Sequence, residues 1–320
     1  MTTIKVVTKE YELLDGTTRT LVQRVGDGSI IKRFEKTPLP RKPTDVVCPH
    51  FLELKWALGC PFDCAWCYLK GTLRFTPTKT RPHIKEYSKI EQHVRAFIDK
   101  ANGCQELLNT GELADSLMWE KNGHPFSRFI ISLFSGQESH RVLFLTKSDY
   151  VDNFLAADYR AQAVVSFSLN ADAVARRFEK RAPEVTKRIQ AATKLSHAGY
   201  EVRIRIDPMV PIAGWEWHYI SLIDRLFSSF VPARITLGSL RGLQSTINEA
   251  VDKSWVAYLS ESSNWGRKIS FKVRHKMYER LLRHIRETYR YTNVALCKET
   301  LAMWHQLGMD YRSIRCNCIP

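Results

Sequence analysis

Three cysteines constrain this chain more than any other feature. Cys60, Cys64 and Cys67 fall in Cys60-Pro-Phe-Asp-Cys64-Ala-Trp-Cys67, a C-x3-C-x2-C spacing that follows an apolar run (Phe51 to Leu58) and Gly59. Three thiolates on one short loop can hold three irons of a [4Fe–4S] cluster and leave the fourth open to a small molecule. Zinc loops favour C-x2-C pairs with a second ligand pair further along, and this loop has a third cysteine and no histidine. Disulfides belong to oxidising compartments. The opening Met1-Thr-Thr-Ile-Lys5 has no apolar signal segment, and no apolar run reaches membrane-spanning length. The expectation is a cytoplasmic protein with reduced thiols, no membrane span, and iron–sulfur ligation by this loop.

The charge balance adds a second constraint. Over 320 residues, 48 Lys and Arg face 33 Asp and Glu, a formal net charge of +15. Such a field attracts polyanions, and nucleic acid is the commonest of them in a cytoplasm. The excess is concentrated late: residues 265–320 carry twelve Lys or Arg against four Asp or Glu. Trp265, Arg267, Lys268, Lys272 and Arg274 open that stretch, with Phe271 and Tyr278 interleaved. Cations that hold phosphates beside aromatics that stack on bases predict a nucleic-acid surface. The competing reading is a solvated helix face over residues 273–290.

Length allows one large domain or two modest ones. Residues 1–45 read as an N-terminal arm or hairpin, with turn signals at Asp15-Gly16 and Gly26-Asp-Gly28. Residues 46–240 alternate strand and helix patterns. Strands are predicted at 106–109, 141–146, 163–168, 201–206 and 233–237, and helices at 89–100, 126–134, 183–198 and 219–227. Alternation of this kind predicts an α/β fold with a parallel sheet and crossover helices, six units where a closed barrel needs eight. Residues 241–320 read as a mainly helical basic extension with a cysteine-bearing tail.

The cysteine loop, with Trp66 before its third thiol, resembles the signature of the radical S-adenosylmethionine (SAM) superfamily. Cys48-Pro-His-Phe51 and Gly59 through Thr72 are similar to the spore photoproduct lyase family. So are Leu145-Thr-Lys147, Phe167-Ser-Leu-Asn170, Lys187 to Ala192, Ala198-Gly-Tyr200, Asp207-Pro208 and Gly214-Trp-Glu216, so that the resemblance covers residues 45–270. It implies a partial (βα)6 barrel with its site at the C-terminal strand ends. It also implies a [4Fe–4S] cluster on Cys60, Cys64 and Cys67, and SAM chelating the open iron. A cellular one-electron reductant would drive cleavage to a 5′-deoxyadenosyl radical, which abstracts hydrogen from a DNA photoproduct. By the same resemblance Gly111 and Glu112 meet the SAM amino group; at the strand ends Lys147 suits its carboxylate, and Ser168 and Asn170 its ribose, the other reading of each being an ordinary strand-terminal polar residue. Tyr68 matches a tyrosine of the hydrogen-atom relay, Asp207-Pro208 borders the substrate, and Trp265-Gly-Arg267 approaches DNA.

Two departures from the family pattern stand out. Where the repair lyases carry a hydrogen-donating cysteine, this chain has Asn109, and Cys104 lies five residues earlier. An amide cannot donate a hydrogen atom as a thiol does. Second, Cys297, Cys316 and Cys318 form a late thiol group which, with Cys48 or Cys104, makes four ligands. An auxiliary iron–sulfur cluster, a radical-quenching thiol and inert reduced cysteines are the three readings of that group. Three functions follow: a DNA photoproduct lyase, a radical SAM enzyme for a modified base, RNA or small molecule, and a non-enzymatic metal-containing nucleic-acid-binding protein.

Overall fold

The computed structural model describes residues 4–100 and 105–320, so Cys104 lies outside the described residues. Ten strands form one sheet: β1 Val6–Glu12, β2 Thr18–Val25, β3 Ile31–Phe34, β4 Phe51–Leu54, β5 Leu107–Asn109, β6 Arg141–Thr146, β7 Ala163–Leu169, β8 Glu201–Met209, β9 Arg234–Ser239 and β10 Val294–Leu296. Their order across the sheet is their order in the chain. β1 to β4 pair antiparallel, and β4 to β10 pair parallel throughout. Parallel neighbours taken in sequence, each joined by a crossover of the same hand, put the helices on one face and curl the other inward. The result is the open barrel expected of six βα units, extended by a seventh parallel strand, β10.

The crossovers include helices Tyr87–Lys100, Phe126–Phe134, Val185–His197, Trp215–Ser229 and Phe271–Tyr289. Each lays an apolar stripe on the sheet: Ile90, Val94 and Phe97 in the first, Met277, Leu281 and Ile285 in the last, all buried. None of the helices among the described residues is long and apolar enough to cross a membrane. The arm expected over residues 1–45 is no separate appendage. Its strands continue the main sheet, β3 pairing with β4 from Ile31–Leu54 to Phe34–Phe51. The stretch after residue 240 is also less helical than expected, since it supplies β10 and the small hairpin Glu261–Ser263 with Gly266–Lys268.

The inward face of the barrel is unusually polar, and the register shows why. Period-2 alternation puts Val202, Ile204 and Ile206 of β8 on one side and Arg203, Arg205 and Asp207 on the other. Pairing aligns Ser166 with Arg203 and Ser168 with Arg205, then Arg203 with Arg234 and Arg205 with Thr236. Below these rows Leu107, Leu143 and Val164 make a small apolar floor. The C-terminal tail fills the middle. Asn317, fully buried, donates to Ser166 Oγ at 2.8 Å and the Ile204 carbonyl at 3.0 Å, and accepts from Thr236 Oγ1 at 2.8 Å. Arg203 donates to the carbonyls of Asn317 and Ile319 at 2.9 and 2.6 Å. A polar interior left unpaired would cost about 1–3 kcal/mol per group, so the tail is a structural part of the barrel.

A second buried network corrects the sequence reading of the basic stretch. Lys268 and Arg274 are 1 % and 2 % exposed, and both point at Glu299, at 3.6 and 3.3 Å. Ser239 Oγ and the Tyr278 hydroxyl each donate to the same carboxylate at 3.0 Å. Lys268 and Arg274 therefore offer nothing to a phosphate; they neutralise an acid inside the fold. Burial alone would raise the Glu299 carboxyl, but Lys268 and Arg274 outweigh it and hold it below the usual range. A carboxyl lowered in the folded state adds stability above its unfolded value of about 4.3, and loses it as pH falls through the lower folded value. Glu299→Gln should thus cost about 3–5 kcal/mol near neutral pH, because it leaves the buried Lys268 without a carboxylate and Arg274 with only the partly exposed Glu261. In urea unfolding the gap from wild type should narrow in acid; a gap independent of pH would contradict this account.

Candidate active site

Gly59 steers the chain into the cysteine loop. Its φ is +86°, and a β-carbon there would collide with the Arg81 carbonyl, so only glycine fits. The loop is then pinned: Cys60 N–H donates to the Thr80 carbonyl at 3.0 Å, and Ala65 N–H to the Phe178 carbonyl at 2.8 Å. Trp66 packs on Phe178 with ring centroids 4.9 Å apart, and Lys70 pairs with Asp63 at 2.9 Å. Cys60, Cys64 and Cys67 all line a cavity of about 340 Å³ at the C-terminal ends of the parallel strands. Burial pushes the Cys60 and Cys64 thiols up, Cys64 to about 12. Neutral thiols suit an apolar wall, and ligation to a metal deprotonates them. Three thiols on one rigid loop, facing one cavity, fit a three-ligand cluster.

The expected SAM-side residues surround the same space. Glu112, Gly111, Lys147 and Ser168 line the cavity. Gly111 lies so close to β6 that a β-carbon would sit 2.5 Å from Leu145 Cβ, and its N–H is held by Asn109 Oδ1 at 2.9 Å. Lys147 Nζ donates to Ser168 Oγ at 3.0 Å, with Glu179 behind it at 3.8 Å. Burial would lower the Lys147 ammonium, but Glu179 together with Cys64 and Asp115 outweighs this, and the charge is kept. Tyr68 bridges to the opposite wall, its hydroxyl 2.6 Å from Glu112 Oε2. A carboxylate beside a fixed ammonium and hydroxyls is the polarity that a zwitterionic amino acid with a ribose requires.

Other expected residues are placed differently. Asn170 is fully buried and does not line the cavity. Its Nδ2 donates to the Pro208 carbonyl, and its Oδ1 accepts from Ala171 N–H and the Tyr219 hydroxyl, all at 2.9 Å. It ties β7 to β8 and, fully buried, presents no surface to the cavity. Trp265 lines the cavity. Arg267 is partly buried and donates to the Leu259 carbonyl at 2.7 Å, while Lys272 is exposed.

Several cavity residues escaped the sequence reading. Arg241 grips Asp207 through two bonds of 2.9 Å, and its Nη2 lies 3.5 Å from Cys297 Sγ. Burial alone would raise the Asp207 carboxyl, but Arg241 holds it at about 2. Arg205 Nη2 lies 2.9 Å from Cys318 Sγ. Burial would raise the Cys318 thiol as well, but its interaction with Cys316, then the Arg205 guanidinium, outweigh burial and hold it below the usual thiol range. Glu53 stands near Glu112, and burial together with that charge lifts it to about 7. Lys298 is sandwiched at 4.2 Å from the Phe34 ring and 3.8 Å from Trp265, and donates to Cys48 Sγ at 3.4 Å. The strictly alternating Arg203-Ile-Arg-Ile-Asp207 was the available signal that Arg205 turns inward beside the expected Asp207; Arg241 and Lys298 had none.

Comparison with known proteins agrees with this geometry. The spore photoproduct lyase family model matches residues 51–238. Spore photoproduct lyase of Bacillus subtilis (strain 168) is 28 % identical over 180 residues, covering 54 % of this chain and 50 % of that protein. The Geobacillus sp. (strain Y412MC61) protein of the same name is 27 % identical over 173 residues, covering 53 % and 49 %. The chain thus spans about half the length of the relatives it matches. Among solved structures, spore photoproduct lyase complexed with dinucleoside spore photoproduct superposes with a TM-score of 0.65 at 17 % identity, covering 81 % of this chain and 80 % of that one. A double mutant of that lyase with bound AdoMet and the same dinucleoside gives 0.64 at 18 % identity, covering 80 % of each chain. These likenesses establish the shared fold, and the match over residues 51–238 establishes the kinship: the chain belongs to the spore photoproduct lyase family, within the radical SAM superfamily.

Proposed function

We propose that the protein is a radical SAM lyase acting on a photoproduct in DNA, with a [4Fe–4S] cluster on Cys60, Cys64 and Cys67 and SAM beside it. The observation that carries this reading is a single cavity that unites the three loop thiols with Glu112, Lys147, Ser168 and Tyr68. When bound, cluster and cofactor supply hydrogen abstraction by a carbon radical, driven by one electron from a cellular reductant. The chain's own residues bind and orient. Glu112 accepts from an ammonium, Lys147 meets a carboxylate, and the Ser168 hydroxyl serves the sugar. Tyr68, hydrogen-bonded to Glu112, stands between the loop and the rest of the cavity, where a phenol can pass on a hydrogen atom. Arg241 fixes Asp207 at the far side.

The exposed cations support the DNA substrate. Lys36 lies exposed at the cavity, and Lys272 and Lys276 are exposed on the Phe271–Tyr289 helix. Phosphates bound there leave Trp265 and the cavity for the base. Asn109 favours a second reading, a radical SAM enzyme with another substrate, since the repair lyases' donor thiol is absent from that strand. A metal-containing binding protein without activity would leave Glu112, Lys147 and Tyr68 in the cavity unused.

Anaerobically reconstituted, reduced protein should form 5′-deoxyadenosine from SAM and convert the thymine lesion when UV-irradiated DNA is supplied. SAM cleavage without lesion loss would move the assignment to the second reading, and no cleavage by protein with its cluster intact would overturn both. Glu112→Gln and Lys147→Ala should each weaken SAM binding about tenfold or more, the worth of a charge-assisted hydrogen bond; calorimetry with unchanged affinity would remove them from the site. Lys36→Ala and Lys272→Ala should each lower the salt dependence of DNA binding, by about 0.9 in the log–log slope for each phosphate no longer neutralised. Slopes equal to wild type would place DNA elsewhere.

A further inference from the structure

Four described cysteines stand outside the loop. Cys48, Cys297, Cys316 and Cys318 come from three distant stretches of chain, and all four line the cavity. They form one group: Cys316 and Cys318 stand two residues apart on the tail, and Cys318 lies within electrostatic reach of Cys48, Cys297 and Cys316. The loop thiols interact among themselves as another, Cys60 with Cys64 and Cys67.

The tail is held in place by much more than its two thiols. Asn317, between them, is wedged among β7, β8 and β9, and the flanking carbonyls are held by Arg203 and Arg234. This anchoring presents Cys316 and Cys318 to the cavity at a fixed position. Three cations meet the group, one thiol each. Lys298 lies 3.4 Å from Cys48, Arg241 3.5 Å from Cys297, and Arg205 2.9 Å from Cys318. Asn109 Nδ2 adds a contact of 3.7 Å to Cys318. So the amide that replaces the family's cysteine faces a sulfur of the tail.

That arrangement has a chemistry. Four thiolates around an iron–sulfide core carry net negative charge, and a buried anionic centre needs cations and N–H···S bonds around it. Among the described residues no three Cys, His, Asp or Glu side chains are grouped tightly enough for one metal ion. A multi-iron core spreads its ligands further apart than a single ion does. We propose that Cys48, Cys297, Cys316 and Cys318 ligate a second iron–sulfur cluster, with Arg205, Arg241 and Lys298 balancing its charge. Binding releases the four thiol protons. With every iron bound to protein this centre has no open position, so it carries single electrons and does not take SAM. The inference rests on the cysteine loop holding the first cluster.

Iron and sulfide counting after anaerobic reconstitution tests it. Wild type should bind about eight irons, and the triple variant Cys60→Ala, Cys64→Ala, Cys67→Ala should keep about four, with an electron paramagnetic resonance signal in the reduced state. The double variant Cys316→Ser, Cys318→Ser should also keep about four, with circular dichroism verifying its fold. A loop triple variant free of iron would overturn the second cluster, whether or not the tail variant folds. The two readings fail separately. Wild type that cleaves SAM with only about four irons keeps the proposed function and sinks this inference. Iron retained by the loop variant, with no SAM cleavage by wild type, does the reverse.

Discussion

The fold depends on satisfying the polar interior of an open barrel. Seven parallel strands in chain order curl their inward rows together, and those rows carry Ser166, Arg203, Arg234 and Thr236 where many barrels carry branched apolar residues. Asn317 resolves the conflict, since one amide meets Ser166, Thr236 and the Ile204 backbone at once. Arg203 and Arg234 then close over the tail's carbonyls. Below lies the floor of Leu107, Leu143 and Val164, and above lies the cavity. Site and tail are therefore one construction, and the strands cannot hold their upper rows in place without it.

Much of this frame was legible in the sequence because its signals were long and periodic. The helix expected over 126–134 forms at Phe126–Phe134, and the strand over 141–146 at Arg141–Thr146. What was missed had little pattern to show. β10 is three residues long, Val294–Leu296, too short for any periodicity, and it belongs to the sheet only because β9 offers an open edge. The N-terminal strands carried turn signals that marked a hairpin correctly. Nothing local says that β3 will pair with β4, because that contact is decided by Phe34 stacking on Phe51 with centroids 4.9 Å apart.

The site divides along the same line. The cysteine loop could be read directly, since its thiols are neighbours in sequence and its glycine is dictated by backbone geometry. Lys268 and Arg274 were misread because a run of positive charge looks solvated until its partner is known, and the partner, Glu299, lies 25 or more residues on. Asn170 sat at a strand end like its neighbour Ser168, but Tyr219 and Pro208 reach it first. Sequence proximity conveys which groups share a loop. It conveys nothing about which group from across the fold will claim a side chain's last hydrogen bond.

The sandwich of Lys298 between Phe34 and Trp265 draws together three stretches of chain that lie outside residues 51–238. Phe34, Lys36, Cys48, Arg241, Trp265, Lys298 and Cys318, all cavity-lining, share that property. The cavity thus has one wall that carries the cysteine loop and another built from both ends of the chain. The two walls meet in space and are encoded apart. A substitution in either terminal stretch therefore reaches the cavity as directly as one beside the cysteine loop, although the two lie far apart in the sequence.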